Sequence, residues 1–128
     1  MSDGQPLIAS VIPVFNEASH IGECLDSLIA QTLPAEQHIV LVLDGGSTDT
    51  TQTEVSKAIK RSKKVNGPVI ELHSNPQKYV AEARNLALSL LPDSVQFTVE
   101  LIGHSTVDAD HLEIRMKEWK RIESSSTA

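Results

Sequence analysis

The chain has 128 residues, a hydrophobic content of 40% and a formal net charge of −6, which fits one soluble domain with a modest core. The acidic balance and an aromatic content of 3% argue against nucleic-acid binding, which needs a basic face or a stacking platform. One cysteine allows no internal disulfide, and no apolar run reaches the length of a membrane span. The N-terminus lacks the layout of a signal peptide, so we expect a cytoplasmic protein.

The first predicted unit is a buried strand followed by an amphipathic helix. Residues 8–14 are almost entirely aliphatic, and Pro13 lies near the end of the run, where the loss of an amide is tolerated. A helix is predicted from Ser19 onward. Its apolar stripe consists of Ile21, Cys24, Leu25, Leu28 and Ile29.

The second unit combines a strand, a glycine-rich turn and a helix. Residues 38–44 form a run typical of a strand that is buried on both faces, and it ends in Asp44. Gly45 and Gly46 allow a tight turn, and Ser47 is the predicted cap of a helix over 47–64. Helix N-termini bind phosphate well, so this turn is a candidate nucleotide site, with a plain strand-to-helix turn as the alternative.

Two further strand–helix units complete the chain. Strands are predicted over 69–73 and 96–102, and helices over 79–91 and from Asp110 onward. Residues 1–123 form one domain, and residues 124–128 are a predicted disordered tail. The inward-facing residues predicted for these two helices are Val80, Ala83, Ala87, Leu90, Leu91, Leu112, Met116, Trp119 and Ile122.

Four alternating strands and helices predict an α/β fold: a Rossmann-like parallel sheet with right-handed crossovers and helices on both faces. Ligands of such sheets bind at the carboxyl ends of the strands. Four polar loops share that edge, and their convergence is better evidence for a site than any single motif. The loops are Phe15-Asn16-Glu17, Asp44-Gly45-Gly46, Ser74-Asn75-Pro76 and Gly103-His104-Ser105.

Motifs in the first ninety residues resemble the successive signatures of the family 2 glycosyltransferases. They are Val11 to Glu17, Leu25 to Leu28 with Gln31-Thr32, Asp44 to Asp49, and Ala83 to Ala87. The resemblance implies the GT-A fold, with strand order 3-2-1-4, a nucleotide-diphosphate-sugar donor and a divalent metal, Mg or Mn.

The same resemblance implies the roles of individual residues. Pro13, Phe15 and Glu17 would line the nucleotide pocket, Asp44 would contact the base or ribose, and Arg84 would lie near the nucleotide. A carboxylate accepts from base or ribose donors, and a guanidinium pairs with phosphate. Gly45 stands where many family members have a second acid.

The metal motif departs from the family pattern. Asp108-Ala109-Asp110 offers the spaced acids that ligate Mg or Mn. In some relatives an Asp-Ala-His sequence ends the fourth strand. Aligned with it, His104 matches the histidine and Ile102 replaces the acid. Asp110 is then the cap of the last helix, with Glu113 completing a capping box, and the early end of the strand favours this alternative.

The chain ends one helix after this motif, before the half that supplies the acceptor site in this fold. We therefore expect a truncated fold: a glycosyltransferase or its donor-binding half, with an unknown acceptor and no catalytic base that can be assigned. The alternative is a non-catalytic nucleotide- or partner-binding domain. A receiver-like domain ranks last, because Glu17 stands without a second acid. Homo-oligomerisation is left open.

Overall fold

A computed structural model of the protein describes residues 5–76 and 80–125. Strands and helices alternate along the chain, as the sequence predicts. The strands are β1 (Ile8–Val14), β2 (His38–Asp44), β3 (Val69–Ser74) and β4 (Phe97–Glu100). The helices are α1 (Ile21–Ile29), α2 (Thr51–Lys64), α3 (Val80–Leu90) and α4 (His111–Ser125), and a 3-10 turn over Ala35–Gln37 precedes β2.

The four strands form one parallel sheet in the order β3-β2-β1-β4, which confirms the predicted fold class and topology. β1 and β2 pair along their whole lengths, from Ile8 opposite His38 to Val14 opposite Asp44. Six of the seven β1 residues and all seven of β2 are buried, because helices cover both sides of the sheet. The carboxyl ends of the strands therefore lie along one edge.

Alternate residues of the strands point to opposite faces of the sheet. On one face, Ile12, Val40 and Val42 pack against the predicted apolar stripes of α1 and α2. On the other face, Val11, Leu41 and Leu43 pack against α3 through Ala83 and Ala87. Cys24 of α1 is fully buried, as the helical periodicity predicts.

The edge strand β4 is covered on one face only, as its alternating pattern predicts. Val99 packs with Leu112 and Met116 of α4, and Phe97 lies against Trp119 with ring centroids 5.2 Å apart. Thr98 and Glu100 are exposed on the opposite face. No helix in the described part of the chain is long and apolar enough to cross a membrane.

The boundaries of the elements differ from the predictions at several points. β4 ends at Glu100 instead of residue 102, and α2 begins at Thr51 instead of Ser47. Ser124 and Ser125 belong to α4, whereas residues 126–128, Tyr79 and the side chain of Val80 lie outside the described residues. Ile122, predicted to face inward, is 47% exposed in the last turn of α4.

One polar pair lies inside the core. The Ser10 Oγ atom is 2.8 Å from the His38 Nε2 atom, and both side chains are buried between β1, β2 and the helices. Burial lowers the pKa of His38 from 6.5 to about 4, because the imidazolium is poorly solvated there. His38 is therefore neutral at pH 7.

We predict that this histidine makes the fold sensitive to acid. The unfolded chain binds the His38 proton more tightly than the folded chain, so this contribution to stability is complete above pH 6.5 and is lost towards pH 4. The loss amounts to about 3 kcal/mol of the free energy of unfolding. Urea denaturation at pH 7.5 and 4.5 should show a smaller acid loss in His38→Gln than in the wild type. His73→Gln, outside the core, should keep the wild-type loss, and equal losses in all three proteins contradict the assignment.

Candidate functional site

The polar loops that follow the strands start from adjacent points on the carboxyl edge of the sheet. The Gly45 amide donates to the Val14 carbonyl at 2.9 Å, and the Asn75 amide donates to the Asp44 carbonyl at 2.7 Å. Each loop is therefore attached to its neighbour where the strand ends. Gly46 follows with φ 93°, a conformation that glycine adopts at little cost and that turns the chain towards α2.

Asn16 joins the loop after β1 to the loop after β2. Its φ of 52° lies in the left-handed region, which Asn tolerates better than most residues. Its Oδ1 atom accepts a hydrogen bond from the Thr48 amide at 2.8 Å, and its own amide donates to the Ser47 Oγ atom at 2.8 Å. The two loops therefore form one hydrogen-bonded unit.

Asp49 and Thr51 strengthen the same connection. The Ala18 amide donates to the Asp49 carboxylate at 3.3 Å, and the Glu17 amide donates to the Thr51 hydroxyl at 2.9 Å. The amide and hydroxyl of Thr51 also donate to Asp49, and the hydroxyl bond lowers the pKa of the Asp49 carboxyl. Asp49, which was expected inside the first helical turn, instead precedes α2 and fixes its start.

Asp44 is buried and fully engaged with its own loop. The Ser47 hydroxyl donates to its Oδ1 atom at 2.5 Å, and the Gln52 side-chain amide donates to its Oδ2 atom at 2.7 Å. The prediction that Ser47 caps the helix is wrong, because its hydroxyl bonds Asp44 and α2 starts four residues later. A ligand that uses Asp44 has to share these oxygens with Gln52.

Phe15 is the exposed aromatic of the edge. It directly follows Val14, whose carbonyl accepts from Gly45, and 48% of its surface is exposed. Pro13 lines a shallow depression of about 290 Å³ together with Glu100, Leu101 and Ile102. Of the predicted pocket residues, Pro13, Phe15, Asp44 and Gly45 therefore lie at the ends of β1 and β2.

Arg84 lies on the opposite face of the sheet from Asp44 and is paired with an acid. Its Nε atom donates to Glu100 Oε2 at 2.5 Å and its Nη2 atom to Oε1 at 3.1 Å, and this bidentate contact raises the pKa of Arg84. Both side chains are substantially exposed. Glu100 borders the depression at Pro13, so Arg84 is near the edge but is not free to bind an anion there without leaving Glu100.

Glu17 and His104 are brought together although 87 residues separate them. The His104 Nδ1 atom lies 3.3 Å from Glu17 Oε2, and the His104 ring lies edge-on to His20 with centroids 6.3 Å apart. Gly103 makes this approach feasible, because a Cβ atom there would be 2.9 Å from Val14 Cγ1. The three side chains form a partly exposed cluster at the edge, which we call the His20–His104–Glu17 cluster.

Asp108 and Asp110 lie elsewhere. After Gly103 the chain runs back along α1: the Val107 amide donates to Ser27 Oγ, the Gln31 side chain donates to the Asp108 carbonyl, and the Thr32 amide donates to the Ala109 carbonyl. These contacts lie at the C-terminal end of α1, whereas the carboxyl edge is at its start. A nine-residue helix, about 13 Å long, separates the two.

The predicted capping box is not formed. Asp110 precedes α4, but its carboxylate makes no hydrogen bond within the described ranges, and Glu113 instead accepts from the Thr32 hydroxyl at 2.6 Å. No group of three His, Cys, Asp or Glu side chains that could hold a metal is found among the residues that the structure describes. The metal role of Asp108 and Asp110 stays a prediction.

Three residues of the edge were not foreseen in these roles: Asn16, Thr51 and Gln52. Asn16 had a usable signal, because an Asn just after a buried strand is a common left-handed residue. Gln52 and Thr51 carried none, since their bonds depend on where α2 begins.

Curated relatives match this chain over part of their length. Glycosyltransferase AglE of Haloferax volcanii is 42% identical over 52 residues, which are 41% of this chain and 17% of AglE. A dolichyl N-acetyl-alpha-D-glucosaminyl phosphate diacetamidodideoxyglucuronosyltransferase of Methanococcus voltae is 30% identical over 115 residues, 90% of this chain and 34% of the relative. The hyaluronan synthase of Pasteurella multocida is 29% identical over 114 residues, which are 89% of this chain and 11% of the synthase. The chain thus spans about a third or less of the length of these relatives.

Solved structures share the fold. TarS of S. aureus in complex with UDP superposes with a TM-score of 0.73 at 22% identity, over 87% of this chain and 31% of TarS. The mannosyltransferase PcManGT from Pyrobaculum calidifontis, in complex with GDP-Man and Mn²⁺, has a TM-score of 0.57 at 29% identity, over 69% of this chain and 25% of PcManGT. The family model described as Glycosyl transferase family 2 matches residues 10–122, and the chain belongs to this family.

Proposed function

We propose that this chain is the donor-binding part of a glycosyltransferase, and that it binds the nucleoside diphosphate of a nucleotide sugar at the carboxyl edge of the sheet. The observation that carries the proposal is the hydrogen-bonded unit of the loops after β1 and β2, which presents Phe15 beside a buried carboxylate, Asp44. Family membership supports it, as do the UDP and GDP-Man complexes of similar structures.

The roles of the residues follow from their positions. Phe15 offers an exposed ring against which a base stacks, and Asp44 offers acceptor oxygens for base or ribose donors once Gln52 shares them. Arg84 pairs with the diphosphate after exchanging Glu100 for a phosphate, because a carboxylate and a phosphate both offer two oxygens to a guanidinium. Pro13, Gly45, Glu17 and His104 complete the surroundings of the nucleotide.

A divalent cation and a cytoplasmic location belong to the same proposal. Mg or Mn would neutralise the diphosphate. For Asp108 and Asp110 to hold it, the segment after Gly103 would have to leave α1, which weighs against the pair. The unpaired thiol of Cys24 agrees with a reducing compartment.

The alternative function is a nucleotide-binding domain without transfer activity. The distance of Asp108 and Asp110 from the edge favours it, because a donor can then bind without the cation that activates its leaving group. Metal-dependent hydrolysis of a nucleotide sugar by the chain separates the two functions: the transferase hydrolyses the donor slowly, and the binding domain does not.

The first prediction from this proposal concerns Phe15. Titration calorimetry with UDP and with GDP, each with Mn present, should show binding of one of them by the wild type. Phe15→Ala should weaken it by about 1–3 kcal/mol, the usual contribution of a base stacked on an aromatic ring. Val65→Ala removes a similarly exposed apolar side chain at the opposite end of α2 and should leave the affinity unchanged. No binding by the wild type, or equal losses in both variants, would falsify the proposal.

The second prediction concerns the connection between the loops. Asn16 and Asn66 have nearly the same left-handed conformation, with φ 52° and 55°, but only the Asn16 side chain accepts hydrogen bonds from the second loop. Asn16→Ala should therefore lower the free energy of unfolding by about 0.5–1.5 kcal/mol more than Asn66→Ala, the usual net contribution of a hydrogen bond. Nucleotide affinity should fall in Asn16→Ala alone. If both variants behave alike in unfolding and binding, the loop connection has no such role.

A further inference from the structure

Gln52 is the exposed partner of the buried carboxylate at the edge. Its Nε2 atom donates a hydrogen bond to Asp44 Oδ2 at 2.7 Å. Asp44 is only 3% exposed, whereas Gln52 faces solvent, so a ligand that reaches Asp44 also meets the amide of Gln52. A carboxylate only accepts hydrogen bonds, so the nitrogen of this amide, and not its oxygen, is turned towards Asp44.

The start of α2 holds the backbone of Gln52 in place. Gln52 is the second residue of the helix, directly after Thr51. The Thr51 amide donates to Asp49 at 2.9 Å, and the Thr51 hydroxyl accepts from the Glu17 amide at 2.9 Å. The side chain of Gln52 therefore reaches Asp44 from a fixed point, which lowers the cost of ordering it around a ligand.

The carboxylate of Asp44 has little accepting capacity left for a ligand. Its two oxygens offer about four lone-pair positions. The Ser47 hydroxyl occupies one on Oδ1 at 2.5 Å, the Ser47 amide lies 3.3 Å from both oxygens, and Gln52 occupies one on Oδ2. About one position remains. Beside it is the second N–H of the Gln52 amide, for which the described residues provide no acceptor.

Uracil and guanine, the two bases that the proposed function leaves open, present different hydrogen-bonding groups to such a site. Uracil has one ring N–H between two carbonyl oxygens. Guanine has a ring N–H with an amino group beside it, and two adjacent donors pair best with both oxygens of an unoccupied carboxylate. With Ser47 on one oxygen of Asp44 and Gln52 on the other, the guanine amino group is left without an acceptor, which costs binding free energy.

We propose that Gln52 determines the base specificity of this chain, and that by occupying Oδ2 of Asp44 it selects uridine over guanosine nucleotides. Asp44 accepts the ring N–H of uracil, and the second N–H of Gln52 donates to the neighbouring carbonyl of the base. A site that hydrogen-bonds one ligand in this way discriminates against an analogue whose polar groups it leaves unpaired. The inference rests on the proposed function, because it concerns the base of the same donor.

The test compares the affinities of the full chain for UDP and GDP, which differ only in the base, by calorimetry in one buffer with Mn present. The wild type should bind UDP at least tenfold more tightly than GDP. Gln52→Met keeps an unbranched side chain but removes the amide, so UDP binding should weaken and GDP binding should tighten. The ratio of the two affinities should fall at least fivefold in Gln52→Met and in Gln52→Ala. Thr53→Ala, which alters the next exposed residue of α2, should keep the ratio within twofold.

The ratio is the informative measurement, because a general disturbance of the loops weakens the binding of both nucleotides alike. Circular dichroism checks that each variant is folded. The specificity role of Gln52 is overturned, and donor binding stands, if the wild type binds GDP as tightly as UDP. The same conclusion follows if the Gln52 variants keep the wild-type ratio, or if Thr53→Ala lowers it equally. If the wild type binds neither nucleotide, the proposed function itself fails, and the specificity role fails with it.

Discussion

The parallel pairing of β1 with β2 is the constraint on which the rest of the structure depends. Seven consecutive residue pairs, ending with Val14 opposite Asp44, bring two strands to the same edge in the same direction. Both strands are buried, so a slip of one residue would move every side chain to the opposite face of the sheet, against a helix that it does not fit. The register therefore fixes where the loops start, and with them every side chain at the edge.

Most acids at this edge serve the fold first. Asp49 bonds Thr51 and the Ala18 amide, and Asp44 bonds Ser47 and Gln52. Each carboxylate accepts hydrogen bonds from the loop before α2 or from its first turn, and so fixes the path of the chain there. The exposed side chains at the edge are instead the aromatic ring of Phe15 and the imidazole of His104. A ligand at such a site would add its hydrogen bonds to a network that the loops have already formed.

The periodicity of the sequence was sufficient to predict the sheet and its helices. Largely aliphatic runs predicted β1 and β2 to the residue, because strands buried on both faces favour apolar residues at almost every position. The start of α2 was misplaced, because Ser47 is a good cap by type and only tertiary contact with Asp44 draws it away. The same difficulty affects Asp110, since Glu113 accepts its hydrogen bond from Thr32 in the loop after α1. Local sequence rules do not include such long-range partners.

Cys24 gives the protein an internal reporter. The thiol is fully buried beneath α1, and its raised pKa keeps it in the unreactive protonated form. Alkylating reagents act on thiolates, so they modify this sulfur only during excursions in which α1 lifts from the sheet. The rate of labelling then follows the frequency of those excursions, and because α1 begins directly after His20 and close to Glu17, it measures how often the carboxyl edge itself opens.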